Sequence, residues 1–219
     1  MGLTRADTIE QLEGEWTTLE AFVRGISDAD MDRPTRCEEW TVRGVTAHIV
    51  GGVLDVAGGT VGTTTGHQHV EDRPSHSPSQ LADELHEGAQ IAMKLLRTID
   101  DRIWAQPSPF PGLTVRQGVE ALWLESFLHE DDIRDALGMT DRSSGGLALE
   151  ISIRHVAEEM AKQAWNQTTL ALDGMPKVRT GPGGDSVIGG DPMRFLLAAT
   201  GRIEAEDVGL DPKVNIYRR

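Results

Sequence analysis

The chain has 219 residues, of which 38% are hydrophobic and 26% are charged, and its formal net charge is −14. This length allows one large domain or an ordinary domain with a small addition, and the composition is that of a soluble globular protein. The acidic charge argues against binding to nucleic acid or to anionic membrane surfaces, since their phosphates would be repelled. The sequence has neither a bilayer-length apolar run nor a signal peptide, and its single cysteine forbids an internal disulfide. We therefore expect a cytoplasmic protein that binds neither nucleic acid nor a membrane.

Four amphipathic helices are predicted in the first two-thirds of the chain. Apolar residues recur every three or four positions over Arg5–Ile26 and again over Gln80–Asp100. Thr41 has the position of an N-cap for a helix that ends near Gly58, and Thr114 begins a capping box for the helix that contains Glu120–Leu137. These helices are expected to form the core of the main domain, residues 1–140.

The four helices resemble two copies of one helix–connector–helix unit, offset by 73 residues. Pro34 matches Pro107, and Thr41-Val42-Arg43 recurs as Thr114-Val115-Arg116 without any gap. Two αα-hairpins joined by a long polar crossover, Gly59–Ser77, predict a four-helix bundle.

A small C-terminal α+β region, residues 141–219, is predicted to follow the bundle. Leu147–Trp165 is mostly helical by pattern, and Met193–Thr200 has Asp191 as an N-cap with Pro192 in the first helical position. Leu170–Thr180 and Asp185–Ile188 read as short strands around Gly- and Pro-containing turns. The mainly α fold therefore carries a minor β component at its C-terminal end.

Glu125 and His129 lie four residues apart in the last helix of the bundle, so they project from one side of it, one turn apart. The stripe that they share is largely apolar, which predicts that both side chains face the core. Polar groups in a core must be satisfied. Either buried hydrogen-bond partners satisfy them, or they bind a metal ion together with a third ligand. His48, on the second helix, is the candidate for that ligand, because two histidines and a carboxylate are normal zinc ligands and leave one position open.

Other residues near this pair have simpler interpretations. Asp132, one turn after His129, either orients that imidazole from behind or is a solvated helix carboxylate. Cys37 is interpreted as a small buried apolar residue ahead of the second helix rather than as a catalytic thiol. The histidines of the polar crossover are expected to be solvated: His67, His69 and His76.

Two segments resemble the mycothiol-dependent maleylpyruvate isomerase family, which belongs to the wider DinB-like metalloprotein superfamily. The first, Pro34–His48, reads Pro-Thr-Arg-Cys-Glu-Glu-Trp-Thr-Val-Arg-Gly-Val-Thr-Ala-His. The second, Glu125–Asp132, reads Glu-Ser-Phe-Leu-His-Glu-Asp-Asp. A third segment, Gly189–Arg202, is similar to the family's C-terminal element, although the match is weaker. Together the first two segments are typical of the family's metal-binding motifs.

The resemblance implies a DinB-like four-helix bundle that binds a divalent metal, most often Zn²⁺, through His48, Glu125 and His129. It also implies an external low-molecular-weight thiol, mycothiol, whose pKa the metal would lower, since thiolate is the competent nucleophile. Attack of that thiolate on an electrophilic small molecule would give isomerisation of an activated cis double bond or S-transfer. The sequence thus predicts a metal- and mycothiol-dependent isomerase or S-transferase. The alternative is a non-catalytic metal-binding bundle with a regulatory or assembly role.

Overall fold

Helices dominate the computed structural model, which describes residues 3–37, 39–140, 146–165, 167–182 and 186–217. The chain divides into two compact units, Met1–Ser144 and Gly145–Arg219. The helices of the first unit are α1 Arg5–Arg24, α2 Val42–Gly58, α3 Gly66–Glu71, α4 Pro78–Thr98, α5 Asp101–Trp104 and α6 Val115–Ala136. The domain boundary predicted at residue 140 adjoins residues 141–145, which lie outside the described residues, and the domain division stays a prediction.

A four-helix bundle of α1, α2, α4 and α6 forms the first unit, as the sequence predicts. Helices α1 and α2 each pack against both α4 and α6, so the two helical pairs interlock. Side chains from all four helices fill the centre, where they are almost completely buried: Leu12, Trp16, Leu19, Val45, Val53, Leu81, Leu85, Leu124, Phe127 and Leu128. Burial of these apolar groups is the main stabilising contribution to the bundle.

The connectors that precede α2 and α6 share the same backbone hydrogen bonds at the predicted 73-residue offset. Thr41 forms an antiparallel bridge with Pro34, and Thr114 forms the equivalent bridge with Pro107. The N–H groups of Val42 and Val115 donate to the carbonyls of the residues just before those prolines, over 2.9 and 2.8 Å. The start of each helix is therefore fixed in the same way in both copies.

The polar crossover is not a continuous loop, which corrects the prediction for Gly59–Ser77. It contains α3, whose N-cap, Thr65, accepts a hydrogen bond from the backbone N–H of Gln68. A helix of this length is too short to show an apolar period in the sequence, so periodicity alone does not reveal it.

The second unit contains helices α7 Leu147–Lys162 and α8 Pro192–Ala199 and strands β1 Thr169–Leu172, β2 Val178–Arg179 and β3 Val187–Gly190. Its three-stranded sheet has the order β2-β1-β3, with β1 antiparallel to β2 and parallel to β3. Asp191 caps α8 as predicted. Of the predicted strand residues, Asp185 lies outside the described residues. This unit is the small α+β region that the sequence predicts.

None of the helices in the described part of the chain combines the length and the apolar composition that crossing a membrane requires.

Loss of the Thr114 cap should destabilise the bundle. Its side chain accepts from the Gln117 backbone, and the Gln117 side chain accepts from the Thr114 backbone in return. Thr114→Ala should lower the free energy of unfolding by about 1 kcal/mol. In the exposed interior of α1, Thr17→Ala should change it by less than about 0.5 kcal/mol. Urea denaturation of both variants measures the difference, and equal effects would contradict the capping assignment.

Candidate metal centre

Helices α2 and α6 bring the three sequence-predicted ligands together. The Nε2 atom of His129 lies 3.1 Å from Oε2 of Glu125, which is one turn away on the same helix. From α2, Nε2 of His48 lies 3.5 Å from the same carboxylate oxygen. The ligand atoms of all three residues lie within 4.8 Å of one another. One carboxylate oxygen thus lies between two imidazole nitrogens.

Asp132 fixes the orientation of the His129 ring. Its side chain has no exposed surface, and its Oδ2 lies 2.9 Å from Nδ1 of His129. Arg36 lies 3.1 Å from the other oxygen and compensates the buried negative charge. Of the two interpretations of Asp132 from the sequence, the solvated carboxylate is therefore wrong. A carboxylate can only accept, so Nδ1 of His129 carries a proton, and Nε2 is the ring atom that faces Glu125, where it holds either a second proton or a metal ion.

His69 is buried, which corrects the prediction that it is a solvated loop residue. Its side chain is only 7% exposed, and its Nε2 lies 3.0 Å from Oδ2 of Asp55. On the other side of the ring, Nδ1 lies 3.4 Å from Nδ1 of His48. Of the other two crossover histidines, His67 is exposed as predicted, whereas His76 is only partly exposed and pairs with a glutamate of α4.

The packing of His69 depends on a glycine of α2. His48, Gly51 and Asp55 lie at positions i, i+3 and i+7, which is one stripe along the helix. A Cβ atom at Gly51 would lie 2.2 Å from Cγ of His69, so the imidazole occupies the space that a side chain would fill. The ring of His69 therefore lies across α2 between His48 and Asp55.

Cys37 lies beside the site and is half-buried, which corrects its interpretation as a buried apolar residue. Its thiol donates to Oδ2 of Asp132 over 3.2 Å, and Sγ lies 3.8 Å from Nδ1 of His129. These three residues form a second group that has metal-ligating atoms close together. However, Arg36 already pairs with Asp132, and Nδ1 of His129 serves as a donor. A network of hydrogen bonds accounts for this group without an ion.

The three central residues influence one another's charge. Burial by itself would raise the pKa of Glu125, but hydrogen bonds from His129 and His48 outweigh it and hold that pKa well below its usual value. Burial works to lower the pKa of His129, yet its partners, led by Asp132, raise it well above its usual value. For His48, burial is the largest effect and lowers the pKa. Glu125 is thus ionised, and the positively charged form of His129 is stabilised beside it.

A divalent ion would fit between these residues. In tetrahedral zinc sites the metal–ligand distances place neighbouring ligand atoms roughly 3.4 Å apart. The distances of 3.1 and 3.5 Å from the Glu125 oxygen to the two imidazole nitrogens are close to that value. Nε2 of His129 faces this space beside the Glu125 carboxylate, and either a proton on that nitrogen or a metal ion compensates the negative charge.

Trp40 lies against the two histidines. Its ring centroid is 4.9 Å from that of His48 and 6.4 Å from that of His129. It is half-buried. Together with Asp55 and His69, it is a site residue that sequence reasoning did not identify. The position of Asp55, two helical turns after His48, is a signal that could have revealed it.

Comparison with known proteins agrees with this fold. The profile of the family described as "Mycothiol maleylpyruvate isomerase N-terminal domain" matches residues 12–134, more than half of the chain. The chain therefore belongs to this family. It also shares its fold with crystal structures of a mycothiol-dependent maleylpyruvate isomerase and of a histidine-to-alanine mutant. The TM-scores are 0.64 and 0.70, the sequence identities are 16% and 12%, and the alignments cover 96% of each chain. None of the curated proteins matches the chain in sequence.

Two neighbouring glycines of α2 provide a matched test of the His69 packing. Gly51→Ala would place a methyl group inside the imidazole ring, whereas a Cβ at Gly52 meets nothing within 4 Å. Both substitutions improve helix propensity, which should raise the free energy of unfolding by about 0.5–1 kcal/mol for Gly52→Ala. Gly51→Ala should instead lower it. Chemical denaturation measures both variants, and equal stabilisation would contradict the buried position of His69.

Proposed function

We propose that this protein is a divalent-metal-dependent enzyme of the maleylpyruvate isomerase type that uses mycothiol. Its ligands would be His48, Glu125 and His129, and its ion would be Zn²⁺, because two imidazoles and a carboxylate are a donor set of zinc enzymes. The observation that carries the proposal is the orientation of His129: Asp132 accepts from Nδ1, and so Nε2, which faces Glu125, is the ring nitrogen left to bind a metal ion. Membership of the family supports the thiol cofactor.

The number of ligands supports catalysis rather than a purely structural metal. Among the described residues, the metal-ligating group that includes Glu125 has three members. Three protein ligands with a remaining position for a small molecule are typical of catalytic zinc sites, whereas structural sites have four. A non-catalytic bundle that binds a metal for regulation or assembly is the alternative, and a fourth protein ligand would favour it.

A bound divalent ion would lower the pKa of a thiol at that position, which makes thiolate available as a nucleophile near neutral pH. The protein's own residues hold and orient the site. His48 and His129 supply neutral nitrogen ligands, and Glu125 supplies negative charge. Asp132 keeps the His129 proton on Nδ1, and the ring of Trp40 covers one side of both imidazoles.

Two reactions are consistent with such a thiolate. In isomerisation, the thiolate sulfur adds to one carbon of an activated cis double bond, and the π electron pair moves onto the activating carbonyl group as an enolate. The remaining single bond rotates, and the enolate re-forms the double bond as it expels the thiolate. In S-transfer, sulfur stays on the carbon and a leaving group departs or an epoxide opens. Measuring thiol consumption during turnover distinguishes them, because isomerisation leaves the thiol concentration unchanged and S-transfer consumes one thiol per product.

Removal of any ligand should release the metal. His48→Ala, Glu125→Ala and His129→Ala should each lose most of the metal that the purified wild-type protein contains, because two protein ligands bind a divalent ion weakly. His86→Ala is the matched control, since this exposed histidine of α4 pairs with a glutamate of α1. Elemental analysis per folded chain, with circular dichroism as a check on folding, gives the result. Full occupancy in His129→Ala would rule out the ligand set.

The thiol nucleophile should be external. Cys37→Ala should retain thiol-dependent turnover and cost about 1–2 kcal/mol of stability, because it deletes a half-buried group and one hydrogen bond. His48→Ala should abolish turnover. Activity should also depend on the concentration of added thiol and decrease with chelators. An enzyme that turns over without added thiol, yet loses activity in Cys37→Ala, would show that the nucleophile is internal.

A further inference from the structure

A chain of hydrogen bonds reaches the candidate ligand His48 from the side opposite Glu125. Asp55 lies at one end, and the buried ring of His69 lies between it and His48. The crossover between α2 and α4 thus contributes a side chain to the metal centre, although that crossover has none of the candidate ligands.

The donors and acceptors in this chain have a definite direction. Thr60 and Thr64 donate their hydroxyl groups to Oδ1 of Asp55, over 2.8 and 3.0 Å. The other oxygen, Oδ2, can only accept, so Nε2 of His69 donates to it. We take the His69 ring to carry that single proton, in which case its Nδ1 is an acceptor. The ring of His48 must then donate from Nδ1.

This direction determines which nitrogen of His48 can bind a cation. With its proton on Nδ1, His48 presents the lone pair of Nε2, and that atom is the one 3.5 Å from the Glu125 carboxylate. We propose that His69 and Asp55 are positioning residues that fix the tautomer and the ring orientation of His48. The inference rests on the proposed function only in taking His48 as a metal ligand.

Both candidate histidine ligands thus have a hydrogen-bond partner behind the ring that leads to a carboxylate. On α6, Asp132 accepts directly from Nδ1 of His129. On α2, the carboxylate of Asp55 lies two turns from His48, too far for direct contact along the helix, and the imidazole of His69 bridges the distance. Gly51 leaves room for that ring. Partners of this kind behind metal-bound histidines raise ligand basicity and typically contribute about 10–100-fold to metal affinity.

The first arm of the test measures tautomers by long-range ¹H–¹⁵N NMR on the full-length protein as purified. His69 should carry a single proton, on Nε2, and His48 should carry its proton on Nδ1. The tautomer of His69 tests the proposal both with and without a bound metal. The tautomer of His48 does not, because a metal ion on Nε2 would by itself leave its proton on Nδ1. A doubly protonated His69, or one with its proton on Nδ1, would reverse the chain and overturn the proposal.

The second arm measures the affinity for Zn²⁺ by competition with a chromophoric chelator. His69→Phe keeps an aromatic ring but cannot accept, and it should bind about 10–100-fold more weakly than wild type. His69→Asn offers its side-chain oxygen near the position of Nδ1 and should recover much of the loss. His86→Phe should bind as wild type does. Unchanged affinity in His69→Phe, or an equal loss in Phe and Asn, would overturn the positioning role.

The two arms separate this inference from the proposed function. Wild-type protein that binds no Zn²⁺ would refute the proposed metal site, and the tautomer of His69 would still decide the direction of the hydrogen bonds. If wild-type protein and His69→Phe bind Zn²⁺ with equal affinity, the proposed metal site stands and the positioning role of His69 is refuted.

Discussion

The candidate site depends on one electrostatic constraint, which is that a carboxylate oxygen and two imidazole nitrogens meet inside a helical bundle. Asp132 holds one proton on the remote nitrogen of His129, so the near nitrogen, 3.1 Å from the Glu125 oxygen, would be a second acceptor if it carried neither a proton nor a metal ion. Two acceptors at that distance repel one another unless a cation lies between them. In the absence of a metal, an additional proton on His129 supplies that charge, and despite burial the pKa of His129 is raised by Asp132 first and by Cys37 and Glu125 after it. A divalent ion would replace this proton.

The outer hydrogen bonds distinguish this site from an accidental cluster of polar residues. The remote nitrogen of each imidazole contacts a carboxylate directly or through one bridging ring. For His129 the carboxylate is that of Asp132; for His48 it is that of Asp55, with His69 in between. These carboxylates have compensating partners of their own, a guanidinium in one case and two hydroxyl groups in the other. These hydrogen bonds and ion pairs hold the rings in one orientation.

Much of the bundle could be predicted from local sequence signals. The helices α1, α2, α4 and α6 have apolar periods, Thr41 and Thr114 have the expected capping geometry, and the repeat at 73 residues corresponds to repeated backbone hydrogen bonds. Glu125 and His129 could be paired because their proximity follows from helical geometry. The approach of His48 is a tertiary contact that no local signal predicts; its Nε2 lies 3.5 Å from the Glu125 carboxylate, and its role as a ligand stays a prediction.

The missed residues depend on contacts that have no local signal. His69 lies in a polar segment, and its burial follows from the packing of the short helix α3 across Gly51, which neither periodicity nor composition indicates. Cys37 differs from its predicted role for the opposite reason: an isolated cysteine is often apolar packing, whereas here the buried carboxylate of Asp132 on α6 accepts a hydrogen bond from its thiol. In both cases the environment, rather than the residue type, determines the role.

The most direct test of the metal site is X-ray absorption spectroscopy of the zinc-loaded, full-length protein without added thiol. We expect a first shell of nitrogen and oxygen at about 2.0–2.2 Å, with the outer-shell scattering of two imidazole rings. A sulfur atom at about 2.3 Å, which only a cysteine or methionine of the chain could supply, or the signature of a single ring, would contradict coordination by His48, Glu125 and His129.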